Sequence, residues 1–182
     1  MIDTTLLGQF ADDLNLLAET LRTAQIEGSH TLSLPIAQVR TSYPSQALTG
    51  VEEWLKTAPV DAAYLYQFSV APSVDVQALH QAFSQAKTRK VGNRAYARLQ
   101  APSSVLYVGS SSSLLARIKQ HLGYGPQRTY AMQLSLWLPD LDAQLELSVW
   151  RFSPTTPKAV LQAIEDSLWA QQKPMLGRQG AR

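Results

Sequence analysis

Three short β-prone runs frame what this chain can become: 63–70 (AYLYQFSV), 104–109 (SVLYVG) and 144–152, where Leu145, Leu147 and Val149 alternate with their neighbours. Around them the apolar period lengthens from two to three and four. Leu6, Phe10, Leu14, Leu17 and Leu21 mark one face of a helix over residues 4–27, which Thr4 or Asp3 can cap and Gly28 can end. Val76, Leu79 and Phe83 predict a helix over 75–87, and 114–122 reads as a short helix stopped by Gly123. Pro157 suits the first turn of a last helix, whose core face is Val160, Leu161, Ile164 and Leu168 and which Pro174 stops. A weaker alternation over 30–36 suggests a short extended segment, and its Pro35 belongs at a sheet edge. Thr49 can cap a short helix ending at Lys56, before Pro59. Residues 88–103 read as an irregular excursion, and 130–138 fits helix or strand equally.

At 182 residues the chain suits one domain with a small appendage. An apolar share of 45% against 16% charged allows a real core. No run of about 18 apolar residues offers a membrane span, and the N-terminus lacks the basic start of a secretory signal. A soluble, cytoplasmic protein without membrane contact is the expectation. With no cysteine, disulfides, thiol nucleophiles and cysteine-bound metals are excluded. There is no P-loop, GxGxxG or GxSxG pattern, and His30, His80 and His121 have no HExxH spacing.

The net charge of +2 conceals a strong asymmetry. Residues 1–75 hold nine acids and three bases, whereas 76–139 hold eight bases and no acid. Those bases are Lys87, Arg89, Lys90, Arg94, Arg98, Arg117, Lys119 and Arg128. Such a segment suits an anionic partner, nucleic acid being the commonest, although a solvated basic face has the same composition. The acidic first 60 residues are instead suited to self-association or to a protein partner.

The segment 107–121 (YVGSSSSLLARIKQH) carries the chemistry. Gly109 ends a strand where backbone can pass close to a ligand, and the serines can cap the helix that follows. Arg117 and His121, four residues apart, share a helix face. A guanidinium beside an imidazole suits a phosphodiester: one offsets charge on phosphate, the other holds or moves a proton. Tyr64-Leu65-Tyr66 lies on a strand upstream, and Glu165 on the last helix downstream.

This order resembles the GIY-YIG nuclease superfamily over about residues 62–180. Tyr64-Leu65-Tyr66 matches its first motif and Tyr107-Val108-Gly109 its second. Arg117, His121 and Glu165 fall on its helix arginine, the His or Tyr one turn later, and its metal-binding glutamate. The resemblance implies an α+β domain at 61–182, with a three-stranded antiparallel sheet flanked by helices and a basic insertion at about 71–103. Residues 1–60 form a mainly helical extension. It implies a DNA endonuclease, restriction-like or structure-specific, that uses magnesium or another divalent cation such as manganese, held by Glu165 and water. Tyr107 is then the general base with Tyr66 assisting, Arg117 stabilises phosphate charge, and His121 orients Tyr107 or relays its proton. Lys87, Arg89, Lys90, Arg94 and Arg98 of the insertion, with Lys119, Arg128 and Arg178, are expected to contact nucleic-acid phosphates. The tail carrying Arg178 and Arg182 is expected to fray. A homo-oligomer is one way for a single-site domain to cut both strands. The alternatives are a nucleic-acid-binding module with an inactive site, and an interaction domain.

Overall fold

The computed structural model describes residues 2–180. Ten elements follow in chain order: α1 (Thr4–Thr23), β1 (Ile26–Pro35), α2 (Ile36–Thr41), α3 (Ser45–Lys56), β2 (Ala63–Val70), α4 (Val76–Thr88), β3 (Val105–Ser111), α5 (Leu114–Leu122), β4 (Gln144–Phe152) and α6 (Lys158–Gln172). Short 3-10 turns cover Val91–Asn93 and Leu134–Leu136. No helix among the described residues is long and apolar enough to cross a membrane.

The fold is α+β around a four-stranded antiparallel sheet in the order β1-β4-β2-β3. The expected sheet of three strands is corrected by β1, which pairs with β4 from Ile26 to Pro35. Without it β4 would present an open ladder of backbone groups to solvent. The segment expected to end a helix at 24–27 instead turns into this strand. Pro35 does lie in an edge strand, at its last residue, where a missing N–H costs no ladder bond.

Period-two alternation sorts β2 between two layers. Tyr64, Tyr66, Phe68 and Val70 face the main core with Leu145, Leu147 and Val149 of β4. Helices α2 to α5 close that side through Ile36, Leu48, Phe83 and Ile118, all fully buried. Leu65 points the other way, into a second cluster with Phe152 and Leu161, and α6 packs there. Phe83 meets Tyr96 and Trp137 edge-to-face at 5.6 and 5.2 Å, tying α4 to the irregular segment after it. Truncating a buried phenylalanine to alanine costs about 3–5 kcal/mol.

The C-terminal segment does not fray at 175–177. Met175 and Leu176 are fully buried, and their amides donate to the carbonyls of Val105 and Leu106 at 2.8 and 2.9 Å. The Gly177 amide donates to Arg98, and Gln100 donates back to Met175 and Gly177. Backbone pairing thus seats residues 98–100 and 175–177 side by side against β3. Arg182 lies outside the described residues.

Candidate functional site

Antiparallel pairing of β2 with β3 sets Tyr66 opposite Gly109. The Tyr66 and Tyr107 rings stack at 6.1 Å with planes 14° apart. A Cβ on Gly109 would lie 2.7 Å from a Tyr107 ring carbon and 2.8 Å from Tyr66 Oη. Its missing side chain therefore makes room for two phenols, where the sequence suggested room for a ligand.

Helix α5 ends at Gly123, whose left-handed φ of 98° suits glycine, and it delivers Arg117 and His121. His121 is fully buried. Its Nδ1 accepts from the Met132 amide at 3.4 Å, and its Nε2 lies 3.0 Å from Tyr66 Oη. A backbone N–H can only donate, so Nδ1 carries the lone pair and Nε2 the proton, which it donates to Tyr66. Burial, and secondly the charge of Arg117, hold this histidine well below its usual pKa, in its neutral form. Towards Tyr107 it makes ring contact instead, with centroids 4.2 Å apart.

Arg117 Nη2 donates to Tyr107 Oη at 3.3 Å, while Nη1 donates to Gln120 at 2.8 Å and to the Tyr130 carbonyl at 3.1 Å. Burial works against the guanidinium charge, but the phenols of Tyr66 and Tyr107 outweigh it and raise its pKa. Burial pushes the Tyr66 phenol well up, aided by Tyr107 and opposed by Arg117. Tyr66 therefore serves as a neutral hydrogen-bonding group.

Glu165, only 7% exposed, projects from α6 close enough to Tyr66 and Arg117 for its charge to act on them. Its carboxylate accepts a short hydrogen bond from Ser110 Oγ. Burial raises its pKa, Ser110 opposes, and neighbouring Asp166 adds to the rise. No ammonium or guanidinium among the described residues comes within 4 Å of it. Asp166 is engaged elsewhere, accepting from Gln162 and from the Gly180 amide. Ser110 had no assigned role in the sequence beyond a helix-capping run, yet Ser113 at the α5 N-cap makes no side-chain capping bond. Only the run of hydroxyls beside Gly109 pointed to it. No group of three or more metal-ligating side chains occurs among the described residues. A single desolvated carboxylate with no direct ion pair, Arg117 acting on it only from a distance, nevertheless fits magnesium, which keeps several waters and takes one or two carboxylates with substrate phosphate.

Tyr107, Arg117 and Tyr130 line a cleft of about 530 Å³ with Lys87, Arg98 and Arg178. No carboxylate lines it, and Glu165 is outside that lining. Lys87 donates to the Ala97 carbonyl at 2.9 Å. Its pKa is lowered by burial and then by Arg98, so cations crowd here without an anion. Of the bases expected to meet phosphate, Lys87, Arg98 and Arg178 are in the cleft. Arg89 instead closes α4, and Lys90 takes a left-handed φ of 51°. Arg94 is tied to the Gly125 carbonyl at 2.6 Å and to Gln133, and Lys119 lies 5.6 Å from the Tyr43 ring centroid. Arg128 is exposed, outside the cleft.

Comparison with protein-family models, with curated proteins and with solved structures finds no match to this chain.

Proposed function

We propose that this protein is a divalent-metal-dependent endonuclease that hydrolyses phosphodiester bonds, with DNA as its substrate. One observation carries the reading: the Arg117 guanidinium bonds the Tyr107 hydroxyl at the wall of a cleft lined by four cations and no acid. A phosphodiester is the anion such a wall takes best, because a guanidinium offers forked donors to its oxygens. The resemblance to GIY-YIG nucleases adds that Tyr66, Tyr107, Arg117, His121 and Glu165 occur in that family's order, on two paired strands and two helices.

In the reaction a water oxygen forms the new bond to phosphorus as the leaving oxygen departs. Tyr107, its own proton first passed to solvent and its oxygen held by the Arg117 guanidinium, takes the water's proton, and the departing oxygen takes one from solvent. Arg117 offsets charge building on the phosphate, and lost donors of this kind cost about 10²–10³ in rate. Tyr66 and His121 are positioning residues: their hydrogen bond and ring contacts fix the Tyr107 ring. Glu165 would hold magnesium or manganese, whose chemistry there is Lewis-acid polarisation of a phosphate oxygen. Lys87, Arg98 and Arg178 bind flanking phosphates.

Incubation with supercoiled plasmid tests this. Nicking with magnesium, none with EDTA, and none by Arg117→Ala is expected. A gel shift without nicking under all conditions points to the binding module instead.

A further inference from the structure

Three tyrosine rings border the cleft, and only one is free. Tyr96 is buried, and its hydroxyl donates to the Val91 carbonyl at 3.0 Å. The Tyr107 ring is packed between Tyr66 and His121. Tyr130 is 73% exposed, yet its backbone is tied down at its own carbonyl and at the residues on both sides. Arg117 donates to its carbonyl at 3.1 Å. Ala131 beside it is fully buried and bridges to Tyr96, with the Ala97 amide donating to its carbonyl at 2.9 Å. Met132, next along, gives its amide to His121. On the other side, the Thr129 carbonyl accepts from Gln133 at 3.1 Å.

Water disfavours a large aromatic ring left exposed, and packing elsewhere does not require this one. A ring on a fixed backbone loses little entropy when a flat partner settles on it. That partner must fit beside cations that take phosphates, and Arg117 ties this backbone to the hydroxyl of Tyr107. A nucleobase attached to the bound strand meets both conditions, provided its face is not covered by a neighbouring base.

We propose that Tyr130 is a stacking platform for an unstacked nucleobase next to the phosphate held by Arg117. The substrate class is thereby nucleic acid with a single-stranded or extruded nucleotide at the site. This rests on the nuclease reading of the cleft and refines it. An intact duplex keeps its bases stacked and gains nothing from the ring.

The test is fluorescence anisotropy in EDTA with three labelled DNA probes: a single strand, a paired duplex, and a duplex bearing a one-nucleotide bulge. Tyr130→Ala is expected to weaken single-strand and bulge binding about tenfold and to leave the duplex unchanged. Tyr130→Phe, which keeps the ring, should bind within about twofold of the unaltered protein, since stacking needs only the π-face. Arg98→Ala should weaken all three probes alike. Preference for the two unpaired probes over the duplex, lost in Tyr130→Ala, supports stacking. An Arg98→Ala loss with no Tyr130→Ala loss, or with equal Tyr130→Ala losses on every probe, overturns the stacking role while leaving the cleft as a phosphate site. Absence of binding to every probe overturns both.

Discussion

His121 gives its one ring proton to Tyr66 Oη, 3.0 Å away, because the Met132 amide claims its other nitrogen. The imidazole is therefore uncharged, and its protonated form would set Nδ1–H against an amide N–H. Its folded pKa lies below the unfolded value of about 6.5. Below that pH the unfolded chain takes up a proton that the native chain refuses, so this contribution to stability declines as pH falls. Denaturant titrations should show the stability advantage over His121→Gln constant above about pH 6.5 and shrinking below it. An advantage independent of pH contradicts an imidazole kept neutral by burial.

Glu165 has the opposite sign. Its pKa is raised in the fold, so its contribution is full below the unfolded value and is lost as pH rises through the folded one. Glu165→Gln, which can still accept from Ser110, should therefore raise the melting midpoint at pH 7, each kcal/mol gained reading as about 2–4 °C in a chain of this size. The gain should vanish near about pH 4.5. Magnesium should stabilise the unaltered protein and not the variant.

The two stacked phenols differ in what they lose as phenylalanines. Tyr66→Phe leaves the buried Nε2–H of His121 without an acceptor, which costs about 1–3 kcal/mol of stability. Tyr107→Phe removes a hydroxyl at the cleft wall, so its folding should be near normal while cleavage drops by about 10²–10⁴. Thermal melts beside nicking assays separate them.

Arg94 and Arg98, four residues apart in one basic segment, divide in the same manner. Arg98 lines the cleft, so Arg98→Ala should lower the slope of log affinity against log salt by about 1. Arg94 spends its guanidinium on the Gly125 carbonyl and Gln133. Arg94→Ala should leave that slope unchanged and lower stability instead.

Where local pattern decides, the sequence is a good guide. β2, β4 and α5 span 63–70, 144–152 and 114–122 as alternation and Gly123 indicate. β1 was mostly hidden, because only Leu34 in it is buried and its reason to be extended is pairing with β4, more than a hundred residues away. The site behaves alike. Tyr107, Arg117 and Glu165 carry side chains whose chemistry is readable in sequence. The Met132 amide, the Gly125 carbonyl and the Tyr130 carbonyl are backbone groups with no residue-type signature, and they decide which cations are free and which way His121 points.

The sharpest measurement is the single-turnover cleavage rate of saturated, prebound DNA in magnesium, for the unaltered protein, Glu165→Gln and Arg117→Ala. Hydrolysis at this site predicts magnesium-dependent cleavage that falls by about 10² or more in each variant while the DNA stays bound. Equal rates in all three, or no cleavage by a fully bound unaltered protein, would contradict it.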